Sequence, residues 1–344
     1  MNEDDVRELL RDVEDPALGD DIVSLGLVND FDVDGDTVTI SLALGAPYSP
    51  AETDIAARVR EVLADAGLES DLTAAIPDRN GQDVLPGVKN VVAVASGKGG
   101  VGKSTVAVNL AAGLADRGAR VGLFDADIYG PNVPRMVDAD DHPQATENET
   151  IVPPEKYGMK LMSMAFMIGE DDPVIWRGPM VHKVLTQLIE DVEWGHLDYL
   201  VVDLPPGTGD TQLTLLQTVP LTGAVVVTTP QDVAVDDARK GLRMFGRHDT
   251  TVLGIVENMA TFVCPDCGGD HDIFGSGGGE QFAEDNDLPF LGSIPLDPSV
   301  RTGSDEGQPV VLDDDNQTGE SFREFAAETA DMLGFVNRRS VSDD

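Results

Sequence analysis

The stretch Ser96-Gly97-Lys98-Gly99-Gly100-Val101-Gly102-Lys103-Ser104-Thr105 restricts what this chain can fold into more than any other part of it. An apolar run, Val91 to Ala95, leads into it, and Val106 to Leu114 leads out with a helical pattern. The pattern Gly-x4-Gly-Lys-Ser is complete from Gly97 to Ser104. Between a strand and a helix, such a loop turns its backbone N–H groups inward and wraps a phosphate chain, and the helix adds its positive end. The candidate nucleotide contacts are therefore Gly97, Lys98, Gly99, Gly100, Val101, Gly102, Lys103, Ser104 and Thr105. Lys103 is placed to reach the β- and γ-phosphates and Ser104 to ligate Mg2+.

Strand and helix patterns alternate from this loop to the end of the chain, which predicts a mostly parallel sheet with helices on both faces. The run Arg120 to Asp127 reads as a buried strand ending in two acids, Asp125 and Asp127. Acids at the carboxyl end of such a strand sit where open α/β sheets bind ligands. Tyr199 to Asp203 repeats the pattern, and Asp203 matches the carboxylate that holds Mg2+ through water. Further strands are predicted at Lys160 to Phe166, Ala224 to Thr229, Val252 to Met259 and up to Asp297, with helices at 180–192 and 321–333. Residues 138–148, rich in acids, read as an excursion. The fold class predicted is α/β, a P-loop NTPase with a doubly wound sheet, preceded by a small α+β domain. The boundaries are 1–77 for the small domain, 78–87 for a linker, 88–335 for the NTPase domain and 336–344 for a loose tail. Within the small domain, Asp34-Gly35 marks a hairpin between two alternating runs, and residues 51–66 repeat at helical spacing.

The only two cysteines are Cys264 and Cys267, in the order Cys264-Pro265-Asp266-Cys267. A lone Cys-x2-Cys fits a redox pair, half a zinc site or half a cluster site. Two thiolates fill half of the four positions on zinc or on a [4Fe–4S] cluster, and a two-fold dimer supplies the other half. His271, nearby, reads either as a further metal ligand or as a surface histidine.

Acids outnumber Lys and Arg by 63 to 23, a formal charge of −40, and they are dispersed rather than gathered in a tail. That surface suits high salt and opposes binding to nucleic acid or to anionic membranes, both of which need Lys and Arg. No run approaches the roughly 20 apolar residues of a membrane span. The acidic start, Met1 to Asp5, has no apolar core after it, so a cytoplasmic protein without a targeting signal is expected.

Lys98, the second lysine of the loop, resembles the extra lysine in the deviant Walker A motif of the partitioning, cell-division and nitrogenase-iron-protein ATPases. That resemblance implies a homodimer in which Lys98 crosses to the partner's ATP. It also implies that Asp127 prepares the attacking water, that Asp125 supports the metal shell, that Gly207 offers its N–H to the γ-phosphate and that Asn258 recognises adenine. Several other pieces resemble the Mrp/ApbC family of iron–sulfur cluster carriers: Ile128 to Pro134, Trp176-Arg177-Gly178-Pro179-Met180, Cys264-Pro265-Asp266-Cys267-Gly268 and Phe274-Gly275-Ser276-Gly277-Gly278-Gly279-Glu280. The implied function is an ATPase that carries a [4Fe–4S] cluster on Cys264 and Cys267 of two subunits and delivers it to apoproteins. Asp15-Pro16 and Asp21 to Val28 resemble the small domain of iron–sulfur assembly proteins. Ser49-Pro50 stands where many of those domains have a cysteine before the proline, so docking rather than thiol chemistry is expected of it. The alternative is a partitioning or cell-division type of regulatory ATPase with a zinc-bridged dimer. A nitrogenase-type reductase fits less well, because it spaces its cluster ligands far apart.

Overall fold

A computed structural model describes residues 3–76, 84–167, 178–264, 267 and 269–342. The chain divides into two compact units, Met1–Gln82 with Ala330–Asp344, and Asp83–Thr329. The predicted linker falls largely on residues outside the described set, as do Trp176 and Arg177.

In the first unit, strands Val28–Asp34 and Thr37–Leu42 form an antiparallel hairpin, and Glu69–Ala74 pairs parallel to the second of them. The register pairs Asp34 with Thr37, so the turn lies on Gly35 and Asp36, one residue later than expected, with Gly35 at φ +64°. Helix Pro50–Asp65 makes the crossover. It starts where Ser49 Oγ accepts the Glu52 N–H, and it buries Ile55, Val59 and Leu63 at four-residue intervals. Those side chains pack with Val6, Leu10, Ile22, Leu27, Val38 and Ile40.

The end of the chain departs from expectation. Its last helix runs Gln317–Ser342, past the predicted 321–333, and residues from Ala330 onward belong to the first unit. Over 336–342 the chain is helical rather than a loose tail, and the first unit takes in residues on both sides of 335. The reason is an ion-pair network that reads as surface polarity in one dimension. Arg338, 1 % exposed, donates to Asp15 Oδ2 at 2.6 Å and to Glu52 Oε1 at 3.1 Å. Ser49 Oγ donates to Asp331 Oδ1, so this hydroxyl is buried and committed to the end of the chain.

The second unit is built on a nine-stranded sheet. Its order is Glu155–Lys156, Met159–Ser163, Val121–Asp125, Leu197–Asp203, Val88–Ser96, Gly223–Thr228, Val252–Val263 and Asp270–His271, and Phe290–Leu296 also pairs with Val252–Val263. The two-residue strands are antiparallel to their neighbours and the rest are parallel. The strands following Val88–Ser96 in the chain lie on both sides of it, which puts a switch point for ligands at its carboxyl end. The strands are buried on both sides, as their continuous apolar runs require. Phe124, Trp194, Leu200, Val202, Val226 and Phe245 form part of the core. The strand predicted to Phe166 ends at Ser163 and continues as a 3-10 turn. The acidic excursion carries a short strand, Gln144–Ala145, paired with Ile151–Val152. Among the described residues no helix is long and apolar enough to cross a membrane.

Candidate nucleotide and thiol sites

Parallel pairing brings the functional ends of three strands together. Asp203 lies opposite Asp125 on one side and Val94 on the other, two residues before the phosphate loop begins at Ser96. The loop then enters helix Lys103–Asp116. Gly102 holds φ +81°, and a Cβ there would stand 2.2 Å from Asn258 Nδ2. At Gly97 a Cβ would meet the Asp237 carbonyl carbon at 2.1 Å, so both glycines are demanded by close approach.

A cleft of about 500 Å3 opens over this loop. Its walls include Lys98, Gly99, Gly100, Gly102, Lys103, Ser104, Thr105 and Asp127, with Pro206 from the loop after Asp203. Arg135, Ser304 and Asp305 also line it, and none of them was singled out from sequence. They come from a short helix, Val133–Met136, and from helix Pro298–Glu306, and a window-by-window reading has no signal that joins such distant segments.

Lys103, 6 % exposed, donates to Asp203 Oδ1 at 2.5 Å, and Asp203 is fully buried. Burial raises the Asp203 carboxyl above its ordinary range, against the pull of Lys103 and Ser104. Its other oxygen, Oδ2, has no hydrogen-bond partner among the described residues. An orphaned buried carboxylate oxygen beside the Ser104 hydroxyl has the donor chemistry that suits Mg2+. Asp125 accepts from Ser163 Oγ and from the Val133 and Asp127 N–H groups. Burial, and then the nearby Asp203 charge, pushes the Asp125 carboxyl up to about 7. Asp125 is thus walled in, whereas Asp127 lines the cleft and accepts the Tyr129 N–H at 3.2 Å.

Two expected contacts are otherwise engaged. The Gly207 N–H donates to the Ser96 carbonyl at 3.0 Å, and Gly207 has φ +94°. Asn258 Nδ2 donates to the Val101 carbonyl at 2.8 Å, so this side chain braces the phosphate loop from behind. Val101 itself is buried and is not part of the cleft wall. The strand carrying Asn258 runs on to Val263, four residues beyond its predicted end, and Cys264 follows at once. The glycine run 277–279 is explained by Glu257, whose carboxylate accepts the Gly277 and Gly279 N–H groups at the start of helix Gly278–Glu284.

Cys264 and Cys267 sit at the tip of a hairpin between Val252–Val263 and Asp270–His271, closed by a Cys264 N–H to Gly269 carbonyl bond of 3.0 Å. Phe262 pairs with His271 across it. The two sulfurs and a His271 ring nitrogen all lie within 4.8 Å of one another. Both cysteines are thiols, Cys264 half-buried and Cys267 exposed.

A phosphate loop with two lysines on a parallel sheet, with Asp127 at the cleft and Asp203 paired to its lysine, defines a P-loop NTPase. Residues 87–330 match the family described as the NUBPL iron-transfer P-loop NTPase, and residues 3–74 match the iron-sulfur cluster assembly protein family. The chain belongs to the first of these families through most of its length. It is 45 % identical to the iron-sulfur cluster carrier protein of Synechocystis sp., with 91 % of this chain and 92 % of that one covered. The iron-sulfur cluster transfer protein NUBPL of Dictyostelium discoideum is 46 % identical over 75 % of this chain and 81 % of its own. Among solved structures, a nucleotide-binding protein of Archaeoglobus fulgidus in complex with ADP has a TM-score of 0.61 and 36 % identity. It covers 70 % of this chain and 95 % of its own.

Proposed function

We propose that this protein is an ATP-hydrolysing carrier that takes up a [4Fe–4S] cluster as cargo between two copies of itself and delivers it to apoproteins in the cytoplasm. The supporting observation is continuity: the strand whose Asn258 is bonded to the phosphate loop at Val101 ends at Val263, and Cys264 is the next residue. Five residues, Met259 to Val263, lie between Asn258 and Cys264, so the two are six steps apart, at most about 20 Å along the strand. Any change in the phosphate loop therefore has a direct mechanical route to the thiols. Met259 holds φ +57° on that route, at a break in register with Phe290–Leu296.

In this reading the loop N–H groups and Lys103 bind the β- and γ-phosphates, and Ser104 with the Asp203 carboxylate holds Mg2+. Bound there, the ion would supply charge neutralisation for the phosphoryl oxygens. Asp127, at the cleft wall, orients a water for in-line attack, so that the new bond to the γ-phosphorus forms as the β–γ bridging P–O bond breaks. Lys98 reaches across the two-fold axis of the dimer to the partner's phosphates. Asn258 recognises adenine only by releasing Val101, and Gly207 reaches the γ-phosphate only by releasing the Ser96 carbonyl. Each exchange makes the loop's position depend on the nucleotide, and the Cys264 and Cys267 thiolates of two copies complete the four ligands of the cargo.

Anaerobic purification followed by iron, sulfide and zinc analysis tests this. Iron and sulfide in equal amounts, lost in Cys264→Ser, are expected. A colourless protein that carries zinc alone would leave the regulatory-ATPase reading in its place.

A further inference from the structure

Cations are scarce on this chain, and one helix holds a large share of them. Four of the 23 Lys and Arg residues, Arg239, Lys240, Arg243 and Arg247, fall in the last part of helix Asp232–Arg247. At about 100° per residue, Arg239, Arg243 and Arg247 share one face, with a rise of about 6 Å between successive positions. Ala234, Ala238, Met244 and Phe245 are buried on the opposite face. Lys240 is paired with Asp237 at 2.7 Å. Arg239, half-buried, stands 5.3 Å over the Phe282 ring, which holds its guanidinium in place. Arg243 and Arg247 are exposed, and among the described residues none of the three arginines has an ion pair. Gly246, also exposed, lies between the last two. A Cβ there would meet nothing within 4 Å, so packing inside the chain gives no reason for a residue that weakens a helix.

We propose that this face docks an acidic α-helix of a partner protein, one that carries carboxylates at every fourth position and lies against the notch at Gly246. Four residues of any helix rise about 6 Å, so such carboxylates meet the guanidinium groups in register. Arginine offers a planar fork that binds a carboxylate through two parallel N–H bonds. A nucleic acid fits less well. The stripe spans about 12 Å. Asp236 precedes it and Asp249 follows it, both exposed. A duplex with one charge per roughly 1.7 Å would run past the arginines onto acids, whereas two to three turns of an acidic helix match the stripe in length. The docking helix also borders the nucleotide site, because a Cβ at Gly97 would meet the Asp237 carbonyl carbon at 2.1 Å. Docking here requires neither bound ATP nor a cluster, so it does not rest on the function proposed above.

The probe is a fluorescein-labelled, alanine-rich helical peptide of about 20 residues with three glutamates at i, i+4 and i+8. Its anisotropy is followed as full-length protein is added in about 0.5 M KCl, where a Debye length of about 4 Å suppresses repulsion by the more distant acids. Saturable binding of one peptide per chain is expected. The double variant Arg243→Ala/Arg247→Ala should weaken it by roughly 2- to 5-fold for each arginine removed, the range of an exposed ion pair. Gly246→Gln keeps every charge and should weaken it as well, by filling the notch. Arg58→Ala/Arg60→Ala removes two exposed cations from helix Pro50–Asp65 and should bind as wild type does. Circular dichroism checks that each variant is folded. Four results would overturn the proposal: no saturable binding, equal affinity for a peptide whose glutamates do not share a face, a titration of the double variant or of Gly246→Gln identical to wild type, or tighter binding of a labelled single-stranded oligonucleotide than of the peptide.

Discussion

Lys103 and Asp203 form the most closely packed pair of opposite charges in the nucleotide site, and one substitution there has two separable effects. Lys103→Ala should abolish ATP binding in calorimetry. It should also cost about 3–5 kcal/mol in urea unfolding, since Asp203 is left buried without its cation. Retained ATP affinity would remove the loop from its role. Asp127→Asn should bind ATP normally yet hydrolyse it on the order of 10²-fold more slowly, measured as phosphate release. The sequence assigns Asp127 to preparing the water and Asp125 to the metal shell by resemblance, but as residues both are acids at the end of one strand pattern. Only the fold separates them, by closing Ser163 and Val133 over the first and leaving the second at the cleft. A third prediction concerns Asp198, away from the site. Burial alone would raise its carboxyl, but hydrogen bonds from Arg120 and Lys89 outweigh that and hold it down at about 2. The folded value lies below the ordinary 3.8, so the pair stabilises the fold above about pH 4 and the contribution disappears as pH falls toward 2. With Lys89 and Arg120 largely exposed, the effect is about 1–2 kcal/mol. Asp198→Asn should flatten the acid side of the stability profile by that amount.

At the scale of elements, the last helix and the hairpin at the thiols are where reading by windows was least informative. Arg338→Ala removes the cation shared by Asp15 and Glu52 and should destabilise the first unit by about 3–5 kcal/mol. Thermal unfolding should show it, with ATP binding by the second unit unchanged. Parallel loss of ATP affinity would mean that the two units are not energetically separate. The phosphate loop, its strand and its helix were readable because all their determinants are contiguous: an apolar run, a fixed glycine spacing and a helical repeat. The strand ending at Val263 is underestimated because Asn258 and Ala260 interrupt the β-favouring run before Thr261, Phe262 and Val263 resume it. Its continuation comes from pairing with Phe290–Leu296 and Asp270–His271.

For the whole molecule, a formal charge of −40 sets the response to salt. Repulsion among dispersed surface acids opposes the compact state, and the Debye length falls from about 10 Å at 0.1 M to about 3 Å at 1 M. Thermal stability should therefore rise between those concentrations of KCl. A flat or falling response would mean that the acids are already offset within the fold. The match to the NTPase family, residues 87–330, covers nearly all of the second unit, Asp83–Thr329.

By itself the amino-acid order determined the nucleotide loop, the alternation of strands and helices, the acids at strand ends and the paired thiols, because each is a short-range pattern in consecutive residues. Tertiary structure alone decided that Lys103 meets an acid 100 positions away, that Arg338 meets one 323 positions away and that His271 stands beside both thiols. Those meetings depend on strand order, register and burial of the intervening chain. They are cooperative properties of the packed molecule, and no local window contains them.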